Sequence, residues 1–253
     1  MKLFGSGRDQ PVLQASVLSD RGRVHTHNED ACLADLERGL FAVADGVGGQ
    51  PAGDVAAQVT VDHLPGFIDR ALSHLRDDPG AAIAQAIVDL SDVVQEEARA
   101  TPERSGMAST VVMVLITGDV AHIAHVGDSR AYLARDRQLY RLTDDHSLAA
   151  ELVQSGVITA EEANSHPLAH SITQAIGLPN TPQPGVQQLE LEPGDRLLLC
   201  SDGLTDMVAE ADIGAILTAG GDINATSQEL IDAANAAGGR DNISVVVVDY
   251  APG

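Results

Sequence analysis

The stretch TVVMVLITGDVAHIAHV, residues 110–126, decides the fold class. Two runs rich in Val, Ile, Leu and Ala flank Gly118-Asp119, a pair suited to a two-residue turn, so the segment reads as an antiparallel hairpin. Outward from it, the apolar runs at 40–44, 131–134, 196–200 and 243–248 read as further strands, each bounded by Gly, Asp or Asn. Helical periodicity lies between them. From 54 to about 75, Val55, Val59, Leu64 and Ile68 recur about one turn apart, and Pro65 is expected to break or kink the helix. From 79 to about 100, Ile83, Ile87, Leu90 and Val94 form one apolar face behind a Pro79 start, and 222–237 reads similarly. Two long helices following one another do not suit a βαβ repeat; the order favours antiparallel sheets covered by helices. Residues 144 to about 184 carry short helical pieces, prolines and histidines with little strand signal, and read as an inserted surface lobe.

Composition narrows the function. Of 253 residues, 44% are hydrophobic, enough for a sizeable core, but only 2% are aromatic, so aliphatic side chains must fill it and no base-stacking platform is available. A formal charge of −22 repels phosphate backbones and anionic lipid, which argues against nucleic-acid and membrane-surface roles. Any phosphate chemistry in so acidic a chain needs a local positive centre, and bound divalent cations would supply it. Cys32 and Cys200 have no zinc-ligand spacing and read as reduced thiols. No signal-peptide core and no membrane-spanning run is seen, so the expectation is a cytoplasmic protein without membrane insertion.

Three aspartates stand where chemistry could be held. Asp45 follows LFAVA and precedes GVGG; Asp202 follows RLLLCS; Asp241, in GGRDN, precedes ISVVVV. Each sits at the end of a strand-like run beside Gly or Asn, where the side chain is held firmly and glycine lets backbone approach a ligand. Singly, each also reads as an ordinary turn former. Together, all-oxygen donors without a Cys or His cluster point to a hard cation, Mg²⁺ or Mn²⁺. Asn28-Glu29-Asp30 before a strand, and Asp128 in VGDSRAYL, admit a solvated turn and a hairpin turn as plain readings. Cys200 and Ser201 have no base paired with them and read as structural, as do His122 and His125 in their strand; no P-loop motif is present.

With NED at 28–30, DGVGG at 45–49, GDSR at 127–130, SDGL at 201–204 and GGRDN at 238–242 in this order, the chain resembles the PPM family of type 2C metal-dependent serine/threonine phosphatases, in its bacterial form, from about residue 19 to 248. DDHSL at 144–148 and HPLAHSITQAIG at 166–177 resemble that family's flap. The resemblance implies an α+β fold: a four-layer α/β/β/α sandwich, two antiparallel sheets flanked by helices, in a single phosphatase domain over 9–250 with a flap lobe inserted at about 144–184. It implies two Mn²⁺ or Mg²⁺ ions, bridged by Asp45, with the Gly46 carbonyl on the first, Asp202 and Asp241 on the second, and a weaker third ion at Asp128 and Asp202. Glu29 and Asp30 would act through metal-bound water. A solvent molecule bridging the ions would attack phosphorus directly, so no phosphoenzyme is required. The implied partner is a phosphorylated protein, opposing a bacterial Ser/Thr kinase, with the chain a monomer.

Two positions depart from the family's pattern. Where it usually carries Arg before NED, this chain has His25, with Arg21 and Arg23 nearby but out of register. Histidine forks onto phosphate less well than arginine and is charged only when protonated, so the implied substrate contacts, His25 and Arg23, would bind phosphate more weakly, improving in mild acid. Where bacterial relatives commonly have His after DGxGG, this chain has Gln50, which cannot act as a general acid. These departures leave an alternative open: a metal-binding pseudophosphatase or phosphoprotein-binding module with little turnover.

Overall fold

The computed structural model describes residues 12–47, 52–163 and 166–251. Its strands are β1 (Val12–Asp20), β2 (Asp30–Asp35), β3 (Leu40–Asp45), β4 (Val111–Thr117), β5 (Val120–Val126), β6 (Arg130–Arg135), β7 (Gln138–Arg141), β8 (Gly185–Glu190), β9 (Arg196–Cys200) and β10 (Ile243–Ala251). Its α-helices are α1 (Gly53–His74), α2 (Pro79–Ala100), α3 (Leu148–Gln154), α4 (Ala160–Ala163), α5 (Asp202–Thr205), α6 (Glu210–Thr218) and α7 (Ile223–Ala236). The strands form two five-stranded sheets, ordered β1-β10-β9-β6-β7 and β2-β3-β4-β5-β8, and every pairing is antiparallel. The expected hairpin is present: β4 and β5 pair from Val111↔Val126 to Thr117↔Val120 around Gly118, whose φ of +65° suits glycine.

The central strands are apolar without interruption because both sheet faces are covered. Leu40, Ala42, Val111, Met113 and Leu115 face α1 and α2, meeting Leu64, Ile68, Ile83, Ile87 and Leu90. The alternate residues Phe41, Val43, Val112, Val114 and Ile116 meet Leu133, Leu197, Leu199, Val246 and Val248 between the sheets. On the far face of the sheet that holds β9 and β10, Leu198, Val245 and Val247 meet Ile213, Leu217, Leu230 and Ile231 of α6 and α7. Helix, sheet, sheet and helix therefore stack as four layers.

Two expectations need correction. Pro65 neither breaks nor ends α1, which runs through it for 22 residues. A proline costs one backbone hydrogen bond and a ring clash, but fully buried Leu64 and Ile68 on either side, with Ala71 and Leu72 beyond, hold the helix on its sheet. The Gly127–Asp128 turn joins no hairpin: β5 belongs to one sheet and β6 to the other, so the chain crosses between sheets there. Gly127 has φ +106°, and a Cβ on it would lie 2.6 Å from Thr110 Cβ, so this crossing requires glycine. Between β7 and β8, residues 144–184 contain α3 and α4 and no strand among the described residues.

Candidate metal centre

The antiparallel strands end together, and their acidic residues end with them. Asp45 closes β3 and lies directly opposite Asp30, the first residue of β2. Asp202 lies two residues past the end of β9 and opens α5, while Asp241 lies two residues before the start of β10. Asp128 occupies the crossing between sheets and is 8% exposed.

A hydrogen-bonded frame fixes these positions. The Asp45 carbonyl accepts from Thr110 N at 2.8 Å and from Ser109 Oγ at 3.0 Å, and Asp45 N donates to Thr110 Oγ1 at 3.1 Å. Thr110 Oγ1 also meets Ser129 Oγ at 2.7 Å, tying the end of β3 to the residue beside Asp128. Ser201 Oγ donates to Asp30 Oδ2 at 2.8 Å and accepts from Ser244 N at 3.0 Å, which joins the two sheets under the carboxylates. Asn242 orders the acidic loop: its amide donates to the carbonyls of Arg21 and His27, each at 3.0 Å, and its Oδ1 accepts from Glu29 N at 2.8 Å. Gly46 N donates to the Glu29 carbonyl at 3.1 Å, and a Cβ on Gly46 would come within 2.4 Å of the Gly53 carbonyl carbon. Glycine is needed at 46 because the start of α1 rests against it.

The electrostatics are unfavourable for bare carboxylates. Burial, then the charges of Asp30, Asp202, Asp128 and Asp241, hold Asp45 well above the usual carboxylate range. Asp202 is raised in the same way by burial and then by Asp128, Asp206 and Asp241. Burial pushes Asp30 up to about 6 against the hydrogen bonds from Ser244 and Ser201, and Asp128 to about 6, with Asp145 adding to the effect. Glu29 is also raised, by burial and then by Asp54. One oxygen each of Asp30 and Asp202 is buried without a hydrogen-bond partner. Arg130, two residues from Asp128, is engaged elsewhere, with two bonds to Asp145 at 3.0 and 2.7 Å. Buried anions that repel one another and lack donors need a cation, and carboxylate and backbone oxygens suit a hard divalent ion.

The sequence-chosen residues do not collapse onto one point. Among the described residues, the donors lying within 4.8 Å of one another in a group of three are those of His170, Asp202 and Asp206. Asp45, Asp202 and Asp241 interact electrostatically without forming so tight a group, a spread suited to more than one ion. His25 Nε2 lies 3.4 Å from Asp241 Oδ1, on the exposed rim. Arg23 anchors through its backbone N, 2.7 Å from the Gly239 carbonyl, with an exposed side chain. Gln50 falls outside the described residues. Sequence reading missed Asp206, although its spacing of four from Asp202 along a helical turn puts both carboxylates on one face. It also gave His170 no role, yet His170 Nδ1 lies 3.1 Å from Asp206 Oδ2.

The chain matches the family model for protein phosphatase 2C over residues 21–241. It is 37% identical over 243 residues to the serine/threonine protein phosphatase PstP of Mycobacterium tuberculosis, covering 94% of this chain but 45% of that one, so the chain spans less than half of that relative. The structure of the serine/threonine phosphatase Stp1 from Staphylococcus aureus superposes with a TM-score of 0.88 at 31% identity, covering 97% of this chain and 98% of that one. The catalytic domain of PstP in complex with 2 manganese ions superposes with a TM-score of 0.79 at 35% identity, covering 96% of this chain and all of that one. With matching fold, motif order and acidic strand ends, the chain belongs to the protein phosphatase 2C family.

Proposed function

We propose that this chain is a metal-dependent serine/threonine phosphoprotein phosphatase that hydrolyses phosphate monoesters by direct attack of water. The observation that carries the reading is the gathering of Asp30, Asp45, Asp128, Asp202 and Asp241 at one end of two sheets, with buried carboxylate oxygens on Asp30 and Asp202 that no hydrogen bond satisfies. The donor set fits divalent cations. Asp45 would bridge two Mn²⁺ or Mg²⁺ ions, the Gly46 carbonyl would bind the first, Asp202 and Asp241 the second, and Asp128 with Asp202 a weaker third. When bound, such ions supply positive charge for the phosphoryl oxygens and lower the pKa of water.

The chain's own residues do the positioning. Thr110, Ser109 and Ser201 hold Asp45 and Asp30 rigid, so little reorganisation is needed as charge develops on phosphorus. Glu29 and Asp30 would orient water in the site when the ions are bound. His25, 3.4 Å from Asp241, and the exposed Arg23 would contact the substrate phosphate; a protonated His25 would offset the local negative charge. The reactive machinery uses no thiol: burial pushes both Cys32 and Cys200 up to about 12, too high for a nucleophile at neutral pH.

Residues 9–250 would act as one phosphatase domain with the lobe at 144–184 inserted in it, since the first strand, β1, pairs with the last, β10, along its full length. The partner is a phosphorylated protein, a Ser/Thr kinase or its targets, met by a cytoplasmic monomer. No helix among the described residues is long and apolar enough to cross a membrane. A pseudophosphatase reading is disfavoured by the complete set of acidic positions. The test is hydrolysis of a phosphoserine peptide and of para-nitrophenyl phosphate with Mn²⁺, with and without EDTA, beside Asp45→Ala. Turnover that EDTA and Asp45→Ala both abolish is expected; no turnover in any condition overturns the reading.

A further inference from the structure

Glu29 has a neighbour that the hydrogen-bonded frame does not account for. Gly53 opens α1, is buried, and lies against two parts of the candidate centre. A Cβ built on it would lie 2.6 Å from Glu29 Oε2, 3.1 Å from the Gly46 carbonyl carbon and 3.3 Å from Gly46 Cα. Backbone torsion does not call for glycine here: the left-handed conformation belongs to Ala52, with φ +56°, and not to Gly53. Helix propensity argues against glycine as well, since alanine is the better helix former by up to about 1 kcal/mol. What requires glycine is space, and the nearest atom in that space is a carboxylate oxygen.

The surroundings leave that oxygen held by shape. The backbone of Glu29 is fixed on both sides, its carbonyl accepting from Gly46 N at 3.1 Å and its N donating to Asn242 Oδ1 at 2.8 Å, so only the side chain is free to turn. Among the described residues no hydrogen bond reaches the Glu29 carboxylate, and Asp54, next to Gly53, repels it.

We propose that Gly53 is a positioning residue for the reaction: the space it leaves at the start of α1 is the seat of the Glu29 carboxylate, and a side chain there turns Glu29 out of place. The inference rests on the function proposed above, in which Glu29 orients water, and assigns the residue that lets it do so. A methyl group at 53 would push Glu29 Oε2 back by roughly 0.8 Å to reach ordinary contact, which the end of a flexible side chain does at little cost. The Gly46 backbone would have to give by only a few tenths of an ångström. The fold is therefore expected to tolerate Gly53→Ala, while a displacement of this size in a positioned group is enough to cost up to about 10²-fold in rate.

The test is a double-mutant cycle on Mn²⁺-dependent hydrolysis of a phosphoserine peptide by wild type, Gly53→Ala, Glu29→Ala and the double variant. Thermal melts in EDTA check folding, and a crystal structure of metal-free Gly53→Ala reads the carboxylate directly. Gly53→Ala is expected to lower kcat about tenfold to 10²-fold with KM little changed, to melt no lower than wild type, and to show Glu29 displaced with Gly46 in place. In the Glu29→Ala background, where no carboxylate stands in the way, the same change should cost less than about twofold. Wild-type kcat in Gly53→Ala, or Glu29 unmoved in its crystal, would overturn the proposal. An equal loss of kcat, or a lower melt, in both backgrounds would overturn it too, because the space would then serve the Gly46 backbone or the packing of α1. Each of these results leaves Mn²⁺-dependent turnover by the wild type standing; its absence would overturn the function itself and this role with it.

Discussion

The strands β6, β9 and β10 have two ends, and the sequence treats them oppositely. At one end every buried carboxylate is clamped by arginine. Asp195, 2% exposed, receives Arg135 Nε and Nη2 at 2.7 and 2.5 Å, and Arg196 grips Asp249 at 2.6 and 2.8 Å while also donating to Thr226 Oγ1 at 3.0 Å. At the other end, Asp128, Asp202 and Asp241 stand beside Asp45 and Asp30 without such clamps, held by serine, threonine and asparagine through the backbone. The same residue type stabilises the fold at one end and strains it at the other. An unpaired buried anion is retained only where something else is to be bound, which marks the second end as functional.

The contrast can be broken most strongly at Asp45. Asp45→Asn is expected to lower Mn²⁺-dependent turnover of a phosphoserine peptide by about 10³-fold or more. In EDTA the same variant should melt higher than wild type, because it removes a buried, repelled charge. At the clamped end the signs reverse: Asp195→Ala should cost about 3 kcal/mol in urea unfolding, since it leaves Arg135 only the exposed Glu192 carboxylate and removes the acceptor of Glu192 N, while the Mn²⁺ requirement of the reaction stays unchanged. A lower melting point for Asp45→Asn in EDTA would erase the distinction between the two ends.

A smaller effect lies in the pH dependence of the metal-free chain. Asp128 is raised from 3.8 to about 6, so between those values the folded state holds more protons than the unfolded one. Its contribution is therefore fully present below about pH 3.8 and is lost as pH rises through about 6. Thermal melts in EDTA from pH 5 to 8 should show wild type falling relative to Asp128→Asn, on the order of 1 kcal/mol. Saturating Mn²⁺ should flatten that difference. The smallest effect is at the rim, where His25→Arg should lower KM for a phosphopeptide about threefold to tenfold, ~1 kcal/mol, with kcat little changed.

How much of this was legible in sequence follows from the same physics. The central strands are buried on both faces, so their uninterrupted aliphatic runs announced them. The strands that escaped, β1, β7 and β8, all lie at sheet edges, where polar residues alternate into solvent and the signal fades, as in GVQQLE. The acidic residues were visible because a carboxylate after an apolar run beside glycine is locally distinctive. Their frame was not, because Ser201 meets Asp30 across 171 residues and Asn242 meets Arg21 across 221, separations that only the fold closes. Asp206 could have been found from its helical spacing to Asp202; His170 could not, because the path of the lobe brings it there.

The most direct test of the account is where manganese sits. Anomalous diffraction at the manganese edge from crystals grown with Mn²⁺ should place two peaks about 4 Å apart, with Asp45 reaching both and Asp202 and Asp241 on one of them. Crystals without anomalous density among these carboxylates, or with manganese bound only away from Asp45, would contradict the account.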